Sequence, residues 1–181
     1  TISSPLGSIS LRWPRKIESL FGRTPVRAAI EASRAVNRII NQSGFSSKLR
    51  NFQADWQMVF MDADMPETQI PYYLVNNCNP GWMTPPGNIY IVGQRVAGSC
   101  ASTGKTYKSA VNDEQLAEVL IHEMAHALEY ALIPNMFGGD NARAEGFATW
   151  FTEYASGQTS LIDGKEIKDS YATLAKQDKN Q

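Results

Sequence analysis

The chain has 181 residues, 43% of them hydrophobic, and a net charge of −1. That length suits one domain with a sizeable core, and the composition is ordinary for a soluble globular protein. No apolar run approaches the roughly 20 residues that a membrane-spanning helix needs.

The small net charge hides an asymmetry. Residues 1–50 hold nine basic side chains (Arg12, Arg15, Lys16, Arg23, Arg27, Arg34, Arg38, Lys48, Arg50) against Glu18 and Glu31, a net of +7. The remaining 131 residues carry −8. Such a basic stretch can serve nucleic acid or an anionic envelope. Here the cations are spread at helical spacing rather than clustered. The expectation is a basic helix packed beside the acidic half, with fields that largely cancel.

In chain order, residues 1–23 show no clean period and read as an arm or loop. Thr24-Pro25 is a helix start, a capping residue followed by proline at the first helical position. Ala28, Ala32, Ala35, Val36 and Ile39 then recur at helical spacing until Gly44. Trp56–Met61 reads as a strand, and Tyr72–Val75 as a second, short one. Asn76–Gly87 is dense in Asn, Pro and Gly and reads as loop. Asn88–Val92, bounded by glycines, is a third strand. Residues 97–110 are small and polar and read as an exposed loop.

Cys78 and Cys100 are the only cysteines. Both fall in loops flanking the Asn88–Val92 strand, so one disulfide is expected, worth roughly 3 kcal/mol on a loop-entropy account. That bond favours a secreted or periplasmic location; two unlinked thiols would favour the cytoplasm.

Asn112 and Gln115 form a capping box for the next helix, which Pro134 stops. Leu116, Leu120, Met124, Ala127, Leu128 and Ala131 fill one broad apolar face. The other side carries His122-Glu123-Met124-Ala125-His126, an HExxH motif. Histidines four apart on a helix lie about 40° apart around its axis, so both imidazoles face one way. That suits a divalent zinc ion, with Glu123 beside it as a general base. HExxH also arises by chance, but these are the only two histidines in the chain.

A third helix starts near Asp140 or Asn141 and runs to about Ser156, with Gly157 as its stop. Ala144, Phe147, Phe151 and Tyr154 form its core face, with Trp150 alongside. Glu145 lies on the opposite, polar side with Asn141, Thr149 and Thr152. A catalytic zinc takes three protein ligands and keeps one position open. A turn through Pro134 and Gly138-Gly139 can fold this helix back and bring Glu145 to the histidines. Glu129 reads as a solvated or salt-bridged residue. Trp13, Trp56, Trp82 and Trp150 read as packing anchors, Trp82 being the one placed to meet substrate. A short helix is expected around Ile167–Ala175, and Gln177–Gln181 reads as a frayed tail.

From Asn112 to Tyr154, His122-Glu123-x-x-His126 followed by Ala144-Glu145-Gly146-Phe147-Ala148 resembles the gluzincin zinc metallopeptidases. The resemblance implies an α+β, zincin-like fold: a small twisted mixed sheet packed on an active-site helix, with a helical C-terminal part. It implies one Zn2+ held by His122, His126 and Glu145, with Glu123 activating a zinc-bound water. It also implies an edge strand for extended substrate, for which Ile89, Tyr90 and Ile91 of Asn88–Val92 are the local match. Thermolysin-like members place an aspartate four residues after the glutamate ligand. Here that position is Thr149, whose hydroxyl is the candidate support for a ligand. The longer motif with a third histidine and a Met-turn is absent, which argues against a metzincin.

Tyr154 and Tyr171 are the candidates for a second electrophile at the tetrahedral intermediate, although the helical wheel turns Tyr154 toward the core. The expected activity is zinc-dependent peptide-bond hydrolysis by an endopeptidase, with a protein or peptide as substrate. Two other readings stand beside it. A catalytically silent zinc-containing binding domain is disfavoured by the intact Glu123, and a nucleic-acid-associated protease would use the basic first 50 residues.

Overall fold

The computed structural model describes residues 2–4, 7–13, 22–43, 56–61, 79–92, 113–155, 173 and 176–178. Among them are five strands and three long helices: β1 (Ile2–Ser4), β2 (Gly7–Arg12), α1 (Thr24–Ser43), β3 (Trp56–Met61), β4 (Gly81–Thr84), β5 (Asn88–Val92), α2 (Asp113–Leu132) and α3 (Asn141–Ala155). The strands form one mixed sheet in the order β1-β2-β3-β5-β4. Its centre is parallel: Ile9 of β2 pairs with Trp56 of β3, and Met58 of β3 with Ile89 of β5. Both edges are antiparallel, β1 against β2 and β4 against β5. The architecture is α+β.

α1 buries Ala28, Ala29, Ala32, Val36, Ile39 and Ile40. Among the described residues, α1 packs extensively against α2. α2 is covered on nearly every side, by α1, by α3 and by β4 and β5. That explains why both its apolar face and the acidic Glu123 and Glu129 are buried. Met83, Ile89 and Ile91 carry the sheet's contribution to the same core.

Two arginines of the basic half reach the acidic half, one of them through an ion pair. Arg27 of α1 grips Asp113 at the start of α2, Nε donating at 2.5 Å and Nη2 at 3.3 Å. Arg38 donates to the carbonyl of Ala155 at 3.1 Å. Among the described residues, no helix is long and apolar enough to cross a membrane.

Four sequence expectations need correction. The first is the arm at 1–23, which contains β1 and β2. In Ser8-Ile9-Ser10-Leu11-Arg12 polar and apolar residues alternate with period two, the pattern of a half-buried strand. The second is the loop 76–87, which contains β4. Gly81-Trp82-Met83-Thr84 is too short and too close to prolines to show a period, and pairing with β5 creates the strand. The third is Asn88–Val92 as an edge. β3 and β4 occupy its two sides, so Ile89, Tyr90 and Ile91 have no free edge to offer, and β4 is the edge strand. The fourth is the frayed tail. Asp178 is buried, and its Oδ1 accepts from the backbone N–H of Asn135 at 2.9 Å and of Met136 at 3.1 Å. The 72–75 strand, the 97–110 loop, Cys78, Cys100 and Tyr171 lie outside the described residues, as does most of the 167–175 helix.

Candidate metal centre

α2 runs unbroken from Asp113 to Leu132, so His122 and His126 stand one turn apart on a single face. Their rings are 5.0 Å apart and nearly perpendicular. α2 ends at a tight turn in which Gly138 takes a positive φ of 78°, a conformation that suits glycine. Asp140 then caps α3: its Oδ1 accepts from the Arg143 N–H at 3.1 Å. This start fixes the rotation of α3. Phe147, Trp150 and Phe151 turn inward as a tilted aromatic cluster, and Glu145 turns toward α2.

The Glu145 carboxylate meets both imidazoles. Oε2 lies 3.1 Å from His122 Nε2, and Oε1 lies 3.2 Å from His126 Nε2. The three groups offer ligand atoms that all lie within 4.8 Å of one another and can hold a metal ion. The two contacts use different oxygens, so the carboxylate spans the pair of imidazoles and either oxygen is available to an ion between them. One oxygen and two imidazole nitrogens suit a borderline divalent ion.

Electrostatics agree with that donor set. Burial, and then the neighbouring His122, pull His126 down to about 4, and Glu145 only partly offsets them. Its imidazole is therefore neutral at pH 7, the form that ligates metals. Burial, and then the Glu145 carboxylate, push Glu123 up to about 8. A carboxyl group whose proton affinity lies near neutral pH can both take up and return a proton.

A cleft of about 780 Å³ opens over these residues. One wall is the β4 stretch Asn79–Pro85 and the other is α2 with the start of α3. β4 lies against the base itself. A Cβ on Gly81 would come within 3.1 Å of Glu123 Oε1.

Of the residues singled out in the sequence, the structure brings His122, Glu123, His126, Glu145 and Trp82 together in the cleft. It leaves out two others that were expected there. Thr149 is exposed and does not line the cleft. Glu145 and Thr149 are four apart on α3, and the cleft wall continues instead through Thr152, whose hydroxyl donates to the Ala148 carbonyl at 2.8 Å. Tyr154 packs its ring 5.7 Å from that of Trp150 on the core side, as the wheel indicated, and is no electrophile for this cleft. Glu129 is not solvated: it is fully buried and ion-paired with Arg143 at 3.5 Å. Gly81, Glu118 and Phe137 are lining residues that the sequence did not mark. Only Glu118 was legible, because it sits four residues before His122. No protein-family model, curated protein or solved structure matches this chain.

Proposed function

We propose that the chain is a zinc-dependent peptide-bond hydrolase of gluzincin type, with a zincin-like arrangement of sheet and active-site helix. One observation carries this reading: a single carboxylate, Glu145, reaches the Nε2 atoms of both HExxH histidines across the α2–α3 turn. His122, His126 and Glu145 would hold the zinc. When bound, the ion supplies a Lewis acid that acidifies water and polarises the scissile carbonyl.

The chain's own residues supply the rest. Glu123 takes a proton from the attacking water and delivers it to the departing amine. Its burial keeps bulk water from competing for that proton. β4 is the sheet's edge, and among the described residues nothing pairs with its outer side. An extended substrate can add there as a further strand, its backbone fixed by main-chain hydrogen bonds above the base. This role passes from β5 to β4 because β4 is the strand with an open side.

The test joins metal content to turnover. Purified chain should bind one zinc, and Glu123→Gln should keep it while hydrolysis of a peptide library falls by about 10²- to 10⁴-fold. A chain with no zinc affinity, or a Glu123→Gln variant with full turnover, would remove the reading.

A further inference from the structure

Among the described residues, Glu118 is the one charged residue lining the cleft that is neither a candidate metal ligand nor the base. It lies on α2 four residues before His122, hence on the same face one turn toward the helix start. It is half-buried, and no hydrogen bond or ion pair engages it among the described residues. Among the described residues, no lysine or arginine lines the cleft with it. A carboxylate on the wall of a cleft contributes a local negative potential, which attracts a cation on the incoming molecule.

Distance relates that charge to the scissile bond. Four helical residues rise about 6 Å. An extended peptide advances about 3.4 Å per residue, so a chain lying along α2 reaches Glu118 about two residues from the metal. Val119 and Phe137 line the same cleft and can cover the methylene stem of a long cationic side chain while its head meets the carboxylate.

We propose that this cleft takes peptides carrying lysine or arginine within about two residues of the cleaved bond, and that Glu118 reads that charge. The proposal rests on the hydrolase reading above. It adds a substrate class that the HExxH motif does not specify.

The experiment has two arms on the full chain with zinc added. In the first, peptides differing only in lysine, arginine, glutamine or glutamate near a central bond are digested, and products are mapped by mass spectrometry. In the second, the same peptides, fluorescently labelled, are bound to Glu123→Gln protein. The expected preference for lysine or arginine over glutamate is about three- to ten-fold in both arms, the scale of one partly exposed charge pair. Glu118→Gln should bring the ratio close to one, and Glu118→Lys should invert it. Glu153→Gln removes a charge from an exposed position of α3 outside the cleft and should leave the ratio unchanged.

A wild-type ratio near one, or a preference that survives Glu118→Gln, overturns the proposal. Cleavage without a cationic preference overturns it and leaves hydrolysis standing. A cationic preference in binding without cleavage keeps the role of Glu118 and removes the hydrolase reading. Neither cleavage nor binding removes both.

Discussion

Gly81 of β4 leaves room for Glu123 of α2: a Cβ at position 81 would come within 3.0 Å of Glu123 Cγ. The same atom would sit 3.1 Å from Ile91 Cδ1, so an added methyl is pressed by both side chains. Gly81→Ala should therefore displace the carboxylate. Misplacing a catalytic group by about 1 Å can cost about 100-fold in rate, and contacts this close ask for only part of that shift. The expected outcome is turnover reduced several-fold with zinc stoichiometry unchanged. Steady-state kinetics beside metal analysis checks it, and full turnover would show that Glu123 has room to move.

Most of the centre could be read from the sequence because it is local. His122, Glu123 and His126 share one helical turn, and helical periodicity alone orients them. Glu145 required one tertiary step, a short turn between two amphipathic helices, and the Pro134 and Gly138-Gly139 signals marked that turn. The cleft's other wall could not be read this way. β4 is four residues long and owes its existence to pairing with β5, so nothing in Gly81–Thr84 signals a strand or its place over Glu123. The edge falls on β4 and not on β5 for the same reason. Strand order is set by partners distant in sequence, while the pattern within one strand reports only its own faces. Glu129, read as solvated or salt-bridged, takes the salt bridge, and its burial could not be read because its partner Arg143 lies beyond the turn.

Glu145→Ala should separate the metal site from the fold. Glu145 is exposed and its removal opens no core cavity, so the zinc-free chain should melt within a few degrees of wild type. Zinc affinity should fall by 100-fold or more, since loss even of groups supporting a ligand costs about 10- to 100-fold. The rise in melting temperature on zinc addition should shrink with it. Competition with a chromophoric chelator measures the affinity, and an unchanged value would place the third ligand elsewhere.

Arg143 ties α3 to the end of α2. Its Nη2 lies 3.5 Å from the fully buried Glu129 carboxylate and donates to the Met136 carbonyl at 3.3 Å. Arg143→Met would leave a buried charge without its ion-pair partner, a loss of about 3–5 kcal/mol. Adding Glu129→Gln to that variant should recover part of the loss. Urea denaturation of the two single variants and the double variant gives the coupling. Additive effects would mean that the pair contributes nothing jointly.

Asp178 holds the α2–α3 turn from the far end of the chain, through its Oδ1 contacts with the Asn135 and Met136 backbone. Asp178→Ala leaves those donors without their acceptor, at about 1–3 kcal/mol. Because the turn sets where Glu145 points, zinc affinity should fall along with stability, whereas Glu145→Ala affects mainly the metal. Hydrogen exchange at Asn135 and Met136 should accelerate in the variant. Unchanged exchange would show that the turn holds without the tail.

Removal of zinc by chelation should expose a pH dependence with a definite sign. Glu123 is raised from 4.5 to about 8 by burial and then by Glu145, so its protonated form favours the fold. That contribution is complete below pH 4.5 and is lost as pH rises through about 8. His126 runs the other way. Lowered from 6.5 to about 4 by burial and His122, it contributes stability above pH 6.5 that is lost as pH falls through about 4. The two oppose each other between 4.5 and 6.5, and above 6.5 only Glu123 still acts. Metal-free protein should therefore lose up to about 1 kcal/mol per pH unit from pH 6.5 to 8. Glu123→Gln should flatten that slope. Thermal melts of both proteins across this window decide it, and equal slopes would mean that the Glu123 carboxyl ionises in the fold as readily as in water.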